Sequence, residues 1–258
     1  MKTTLITKVL VFFIICTFLG SAHSTYSTQT YQELLNPFLE EVDITCTTYD
    51  DHTILDYQLP TVHTNEVIID DTAYLRVSFF DEAALHTRGV PDLPTVSRSI
   101  IIPDQQHMQV TLLQAEYSTL TDVAIAPSKG PISREIDPDT ISYEFADVYD
   151  EDAWFPSDIA TLHDPYILRD YRGIVVTLVP FQYNPVRREL RVYHQVSLEV
   201  TSNGQDTVNI LTRNAPPNTI DSGFHDLYSH HFLNYGTTPR YTPLQEQGDM
   251  LILSLIHI

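Results

Sequence analysis

The chain has 258 residues, of which 43% are apolar and 19% are charged, so it can form one or two globular domains with a substantial core. Its 34 acidic and 14 basic residues give a formal net charge of −20. A surface of this charge repels phosphate backbones, so no nucleic-acid partner is expected.

The N-terminal segment has the parts of a secretory signal peptide. Two lysines come before or at the start of an apolar run from Val9 to Leu19, and small residues around Ala22 follow it. We therefore predict a signal peptide over residues 1–24, with cleavage near Ala22. No later apolar stretch is long enough for a membrane helix, so we expect an exported, extracellular product without a membrane partner.

The segments that follow favour short strands joined by turns. Residues 31–42 have apolar residues at helical spacing that Pro37 interrupts, so a short helix and a strand are both open there. Residues 67–80 alternate on either side of an Asp-Asp turn and predict two strands. Further strands are predicted from Ser97 to Pro103 and from His107 to Gln114.

The second half of the chain begins with a long acidic, proline-rich loop over residues 122–158. After it, residues 174–179 and 189–201 predict two strands of a hairpin at the centre of an antiparallel sheet, with residues 180–185 as the turn. One more strand is predicted from Thr207 to Leu211. Many short strands and few helical patterns predict an all-β fold, an antiparallel β-sandwich of jelly-roll type.

The sequence offers little for catalysis or for metal binding. Cys46 is the only cysteine outside the predicted signal peptide, so neither a disulfide nor a thiolate metal cluster is expected. An acidic cluster lacks the spacing of an EF-hand, and a histidine cluster lacks the HExxH pattern: Asp147, Asp150, Glu151 and Asp152, and His225, His230 and His231. We therefore predict no catalytic residue, no metal site and no cofactor.

Three motifs in order carry a family resemblance. The first is Gly89-Val-Pro-Asp-Leu-Pro94 before an Ile-rich strand, and the second is Tyr171-Arg172 ahead of Pro180-Phe-Gln-Tyr-Asn-Pro185. The third is Arg240-Tyr-Thr-Pro243 followed by Met250-Leu-Ile-Leu253. Together they resemble the propeptides of gingipain-type secreted cysteine peptidases, over roughly residues 70 to 253.

The resemblance implies a division of the chain into domains. Residues 25–240 would be a propeptide of β-sandwich type, and residues 241–258 would be the first residues of a cysteine peptidase domain. The propeptide would inhibit that peptidase in cis and help it to fold. Neither Cys16 nor Cys46 lies where the family has its nucleophile, so the chain is not expected to be catalytic as it stands.

Gingipains cut after basic residues, so the resemblance also implies a basic side chain that enters the peptidase cleft. Arg134 and Lys129 are the only Lys or Arg residues between Arg98 and Arg169. We predict Arg134 first, because a guanidinium can bind an acidic pocket bidentately, and Lys129 second. The pair Arg187-Arg188 is a third option.

The junction Arg240-Tyr241 is the predicted activation cleavage point, because it lies in a proline-containing segment just before the third motif. A different class of function is also open. An exported β-sandwich could bind carbohydrate or a cell-surface partner, with Trp154, Tyr149 and Phe155 as a stacking platform.

Overall fold

The computed structural model describes residues 41–212, 219–220, 222–237 and 242–243, and all of these belong to one compact unit. The strands are β1 Asp43–Thr48, β2 His52–Gln58, β3 His63–Ile69, β4 Thr72–Ser78, β5 Ala83–Ala84, β6 Pro94–Ile101, β7 Gln106–Thr121, β8 Ala160–Leu162, β9 Tyr166–Leu168, β10 Tyr171–Leu178, β11 Phe181–Asn184, β12 Glu189–Gln205, β13 Thr219–Ile220 and β14 Thr242–Pro243. One α-helix, α1 Ser222–His231, and short 3₁₀ turns at Pro138–Thr140, Asp147–Asp150 and Tyr235–Thr237 complete the described elements.

Most of the strands lie in two five-stranded antiparallel sheets. In sheet one, the order is β1-β2-β12-β11, and β7 pairs with β12. In sheet two, the order is β5-β6-β10-β8, and β9 pairs with β10. Strands β3 and β4 form a separate hairpin, and β13 and β14 form a short parallel pair. The predicted all-β class is confirmed, with β12 at the centre of its sheet.

The predicted central hairpin is wrong in its pairing. Strand β10 pairs with β6, while β12 pairs with β2, β7 and β11, so the two predicted partners lie in different sheets. The segment predicted as a turn is itself strand β11, which pairs with β12 from Phe181↔Val192 to Asn184↔Glu189. Pro180 marks the change of sheet, where a missing N–H costs no ladder bond. The turn falls later, at Pro185–Arg188, where Arg188 has a φ of 54°.

Of the other predicted strands, some are confirmed, one is longer than predicted and one is absent among the described elements. The two strands around the Asp-Asp turn are confirmed as β3 and β4, with Asp70 and Asp71 at φ values of 47° and 61°. Strand β7 continues well beyond the predicted end at Gln114. The strand predicted from Thr207 to Leu211 is absent among the described elements, because that segment instead surrounds a buried arginine.

Buried aliphatic and aromatic positions from both sheets form the core. Phe79 and Phe181 pack with ring centroids 5.4 Å apart. Strands β2, β6, β10 and β12 supply many of the buried aliphatic side chains: Leu55, Val96, Ile100, Ile174, Val176, Leu178, Val196, Leu198 and Val200. The removal of this apolar surface from water is the main force that holds the domain together.

A charged side chain, Arg172 of β10, lies fully buried beside this core. Its Nε donates to the carbonyl of Asn209 at 2.9 Å, and Nη1 donates to the carbonyls of Pro103 and Gln106 at 3.0 and 2.7 Å. Its Nη2 donates to Asp206 Oδ2 at 2.5 Å and to the carbonyl of Val208 at 2.9 Å. All five donors are thus satisfied, which offsets the cost of removing the charge from water.

The carboxylate that pairs with Arg172 is itself held by the backbone. The N–H of Val208 is the largest influence that lowers the pKa of Asp206, and the hydrogen bond from Arg172 adds to it. The N–H of Thr207 donates to the same carboxylate at 2.7 Å. The segment after β12 is therefore fixed around the arginine without forming a strand.

Helix α1 packs on sheet two through aromatic side chains. Tyr171 meets the rings of Tyr228, Phe232 and Tyr235 at centroid distances of 5.0, 6.1 and 5.6 Å. The side-chain amide of Asn234 then bonds both backbone groups of Ile101, at 2.7 and 3.0 Å. These contacts fix the direction of the chain as far as the 3₁₀ turn that follows α1.

We expect Arg172→Met to lower the free energy of unfolding by about 3–5 kcal/mol, because it leaves a carboxylate and four carbonyls without their buried donor. Urea unfolding followed by circular dichroism measures this loss. Arg169→Met is the matched control, since its side chain is 51% exposed and pairs with Asp170 at 3.6 Å, and it should cost under about 1 kcal/mol. Equal losses for the two variants would contradict the role given to Arg172.

Candidate functional site

One residue, Gly89, holds both ends of the loop that contains Lys129 and Arg134. Its N–H donates to the carbonyl of Ser128 at 2.9 Å, and its carbonyl accepts from the N–H of Ala146 at 2.9 Å. Residues 129–145 therefore leave the body of the domain and return to it at the same point. We refer to this segment as the 129–145 loop.

Only glycine suits the position of Gly89. Its φ of 84° lies in the left-handed region, which L side chains rarely adopt. A Cβ placed there would lie 3.2 Å from both the Cβ and the N of Ala146. The close approach that brings the two ends of the loop together thus depends on the missing side chain.

The stretch before the loop is fixed by backbone pairing to two neighbouring segments. Leu75 of β4 donates to the carbonyl of Ala124 at 2.7 Å and accepts from Ala126 at 2.8 Å. Ser128 donates to the carbonyl of Val90 at 2.7 Å, and Ile125 is fully buried between these contacts. The residues that lead into the loop are therefore held by backbone hydrogen bonds of the kind that pair strands.

Within the loop, Lys129 makes contacts to the returning half. Its Nζ donates to the carbonyl of Pro138 at 2.8 Å and lies 4.4 Å from the centre of the Tyr143 ring. Nearby, Arg88 donates to Glu144 at 2.6 Å. The ammonium of Lys129 is thus engaged inside the loop by a carbonyl and an aromatic face.

Arg134 lies at the tip of the same loop, in a tight turn. The N–H of Ile136 donates to the carbonyl of Ser133 at 3.0 Å, which closes a β-turn with Arg134 and Glu135 as its central residues. Asp137 then begins the 3₁₀ turn that follows and accepts from the N–H of Asp139 at 3.0 Å. The Arg134 side chain is exposed and has no hydrogen bond or ion pair with any described residue.

The other Arg side chains within the described ranges all have partners, as Lys129 does. They are Arg76 with Asp92, Arg88 with Glu144, Arg98 with Glu82, Arg169 with Asp170, Arg172 with Asp206, Arg187 with Asp152, Arg188 with Asp122 and Arg191 with the ring of Trp154. Arg134 therefore stands apart, within this part of the chain, as a guanidinium with no partner of its own.

The third candidate for the anchor, the pair Arg187-Arg188 at the β11–β12 turn, forms ion pairs with two aspartates. Arg187 Nε lies 2.6 Å from Asp152 Oδ1, and Arg188 lies 3.4 Å from Asp122. Hydrogen bonds from Arg187, and then from Asn184, lower the pKa of Asp152. A protease pocket could take either arginine only by breaking an existing ion pair.

Cys46 does not have the environment of a nucleophile. It lies half-buried in β1, and burial raises the pKa of its thiol to about 11 against a weaker opposing bond to Thr48. A thiol with this pKa stays protonated near neutral pH, whereas a nucleophilic cysteine needs its thiolate.

Several residues of the predicted acidic and histidine clusters form hydrogen bonds with other side chains, and the clusters do not converge on one point. No group of three or more His, Cys, Asp or Glu in the described ranges could hold a metal ion. Asp152 binds Asn184 and Arg187, while His225 bonds the Tyr235 hydroxyl at 2.8 Å and His231 bonds the Tyr166 hydroxyl at 2.7 Å. These side chains support local structure in the described part of the fold.

The proposed stacking platform is partly covered. The guanidinium of Arg191 lies 3.8 Å from the centre of the Trp154 ring and 5.1 Å from that of Tyr117. Tyr149 donates its hydroxyl to the carbonyl of Ile125 at 2.9 Å. The Trp154 face that a sugar ring would need is thus occupied by a cation on one side.

Three predicted processing residues, Ala22, Arg240 and Tyr241, lie outside the described residues. No described helix combines the length and apolar character that a membrane crossing needs.

The sequence analysis did not predict the role of Gly89, which joins the two ends of the 129–145 loop. The signal available for it was a glycine just before a proline-stiffened segment.

Comparison with known proteins identifies the family of this chain. The family Propeptide_C25 matches residues 41–235. Gingipain R2 of Porphyromonas gingivalis is 40% identical over 181 residues, which is 68% of this chain and 24% of gingipain R2. Gingipain R1 of the same organism is 40% identical over 171 residues, which is 66% of this chain and 17% of that protein. The chain thus spans about a quarter or less of the length of these relatives.

Solved structures give the same answer for the fold. A chain in the complex of the Porphyromonas gingivalis RgpB pro- and mature domains superposes with a TM-score of 0.68 and 32% identity, covering 77% of this chain and 99% of that one. A structure on the zymogenic latency of gingipain K matches with a TM-score of 0.55 and 18% identity, covering 66% and 97%, and supports the fold alone.

The two antiparallel sheets, the family match and the match to a chain of the RgpB complex define a gingipain-type pro-domain. The chain belongs to the Propeptide_C25 family, and the resemblance inferred from its motifs is confirmed.

We expect Gly89→Ala to loosen the base of the 129–145 loop, because the alanine meets both an unfavourable φ and the crowding by Ala146. Gly204→Ala is the matched control, since Gly204 has a φ of 87° with no atom within 4 Å of the added Cβ. Each variant should lose about 1–2 kcal/mol of stability from its φ, and Gly89→Ala should lose more. Amide hydrogen exchange should quicken at Ala146 only in Gly89→Ala, and unchanged exchange there would refute the role of Gly89.

Proposed function

We propose that this pro-domain inhibits a gingipain-type cysteine peptidase in cis, with the side chain of Arg134 in the specificity pocket of the enzyme. The relative RgpB has been solved as a complex of its pro- and mature domains, which supports a peptidase partner for this chain. The partner domain, its preference for basic residues and the pocket are parts of the proposal.

The observation that carries the proposal is the free guanidinium of Arg134 at the tip of a loop with a fixed base. An inhibitor must present its anchor without first breaking bonds of its own, because each such bond subtracts from the affinity. Arg134 has none to break among the described residues, whereas Lys129, Arg187 and Arg188 each have one or more. A guanidinium also meets a carboxylate bidentately, which an ammonium cannot do.

The remaining parts of the proposal concern export and release. Residues 1–24 act as a signal peptide cut near Ala22, so the product is secreted. Residues 25–240 form the pro-domain, which also helps the peptidase to fold by covering its surface, and residues 241–258 begin the catalytic domain. Cleavage between Arg240 and Tyr241 then separates the two domains.

We expect Arg134→Ala to weaken inhibition of the mature domain of gingipain R2 by about 30-fold or more, because truncating a buried anchor costs about 2 kcal/mol or more. Arg134→Lys should lose about tenfold, since it keeps the charge but not the bidentate geometry. The inhibition constant of purified residues 25–240 is measured with an arginyl substrate at short incubation times.

Arg169→Ala is the matched control for this experiment, because it removes another exposed arginine, one that pairs with Asp170. It should leave the inhibition constant within about twofold, as is usual for a charge outside an interface. If Lys129→Ala abolishes inhibition while Arg134→Ala does not, the anchor is Lys129 and the proposal for Arg134 fails.

We expect Arg240→Ala to block separation of the pro-domain from the peptidase domain in the longer protein. The variant removes the basic residue that the processing enzyme recognises at the predicted junction. N-terminal sequencing of the released enzyme should give Tyr241 for the wild type and no such product for the variant. Arg213→Ala is the control, and release that continues unchanged in Arg240→Ala would show that the junction lies elsewhere.

A further inference from the structure

The peptide bond after Arg134 lies in the middle of the turn at the tip of the loop. The hydrogen bond from the Ile136 N–H to the Ser133 carbonyl, 3.0 Å long, places Arg134 and Glu135 at the two central positions. A peptidase cuts a bond whose flanking residues extend across its cleft, with the carbonyl aligned for attack. The closed turn withholds this conformation while it leaves the Arg134 side chain exposed.

Lys129 connects the two halves of the loop behind this turn. Its Nζ bonds the carbonyl of Pro138, which is the first residue of the 3₁₀ turn next to the tip, and it lies over the ring of Tyr143. Lys129 is thus joined to the residues that follow the tip, nine and fourteen positions further along the chain. To straighten residues 133–136 into an extended strand, the returning half would have to move away from Lys129.

We infer that Lys129 is a positioning residue that keeps the 129–145 loop from being cut at Arg134 while the loop inhibits. The inference rests on the proposed function, and it assigns to Lys129 a role other than entering the specificity pocket. The cut that it opposes is hydrolysis of the Arg134–Glu135 amide. Water would add OH to the Arg134 carbonyl carbon and H to the Glu135 nitrogen, and the thiol of the peptidase would be regenerated.

The physical basis is the population of the open loop. Cleavage of a locally opened segment follows the equilibrium fraction that is open, when opening and closing are fast. A charge-assisted hydrogen bond together with a cation over an aromatic ring changes such an equilibrium by a factor of about ten or more. Loss of both contacts should therefore raise the rate of cutting at Arg134 by about tenfold, and it should leave the anchor side chain in place.

The experiment compares the full chain and its variants during incubation with the mature domain of gingipain R2. Two quantities are measured for each protein: the inhibition constant at short times, and the rate of cleavage between Arg134 and Glu135 by mass spectrometry. Lys129→Ala should keep the inhibition constant within about threefold and be cut about tenfold faster than the wild type. Lys129→Arg should be cut at Arg134 as slowly as the wild type, since a guanidinium can make both contacts.

Tyr143→Ala is the second variant, because it removes the aromatic contact without touching the lysine. It should be cut at Arg134 about threefold faster than the wild type, with an unchanged thermal midpoint. Tyr143→Ala and Lys129→Arg together distinguish loss of the contacts of Lys129 from a general loss of folding.

The other outcomes overturn the inference in distinguishable ways. If Lys129→Ala inhibits and is cut no faster than the wild type, the loop does not depend on this brace. If Lys129→Ala loses inhibition and stays intact, Lys129 is itself the anchor. If the wild-type chain does not inhibit at all, the proposed function fails, and the inference fails with it.

Discussion

The arrangement of the two sheets depends on the buried guanidinium of Arg172. It joins the start of β10 in sheet two to the β6–β7 connection and the first residue of β7, and to the segment that follows β12 in sheet one. Apolar burial favours contact between the sheets but does not specify which strand ends meet. Five directed donors in one rigid plane do specify this, since a shift of either segment would leave a buried charge unpaired.

The sequence predicted strands well and their partners poorly. Period-two alternation located β4 and β12, because a half-buried strand shows its two faces in the residue order. The pairing of β10 with β6 joins residues about 75 positions apart, such as Val176 and Arg98, and no local pattern encodes it. The prolines around β11 misled the assignment, because a proline ends a ladder equally at a turn and at a change of sheet.

The candidate site could be narrowed from the sequence but not decided. Composition left Lys129 and Arg134 as the basic residues of the acidic loop, and both fit an anchor by charge. Their difference lies in contacts with the returning half of the loop, which depend on where Pro138 and Tyr143 fall in space. The role of Gly89 at the base of the loop could not be predicted for the same reason, since its partner Ala146 is distant in sequence.

The net charge of −20 bears on how such a pro-domain would find one position on its enzyme. In the described part of the chain, other arginines are paired with carboxylates or stacked on a ring, so an acidic specificity pocket would be repelled by most of this surface. Like charges brought face to face cost several kcal/mol, about as much as a good anchor contributes. In the proposed complex, the contrast between the one free guanidinium of the described residues and its acidic surround would disfavour wrong dockings as strongly as it would favour the right one. A second free arginine elsewhere on the surface would weaken this selection, even though it would add an attractive charge.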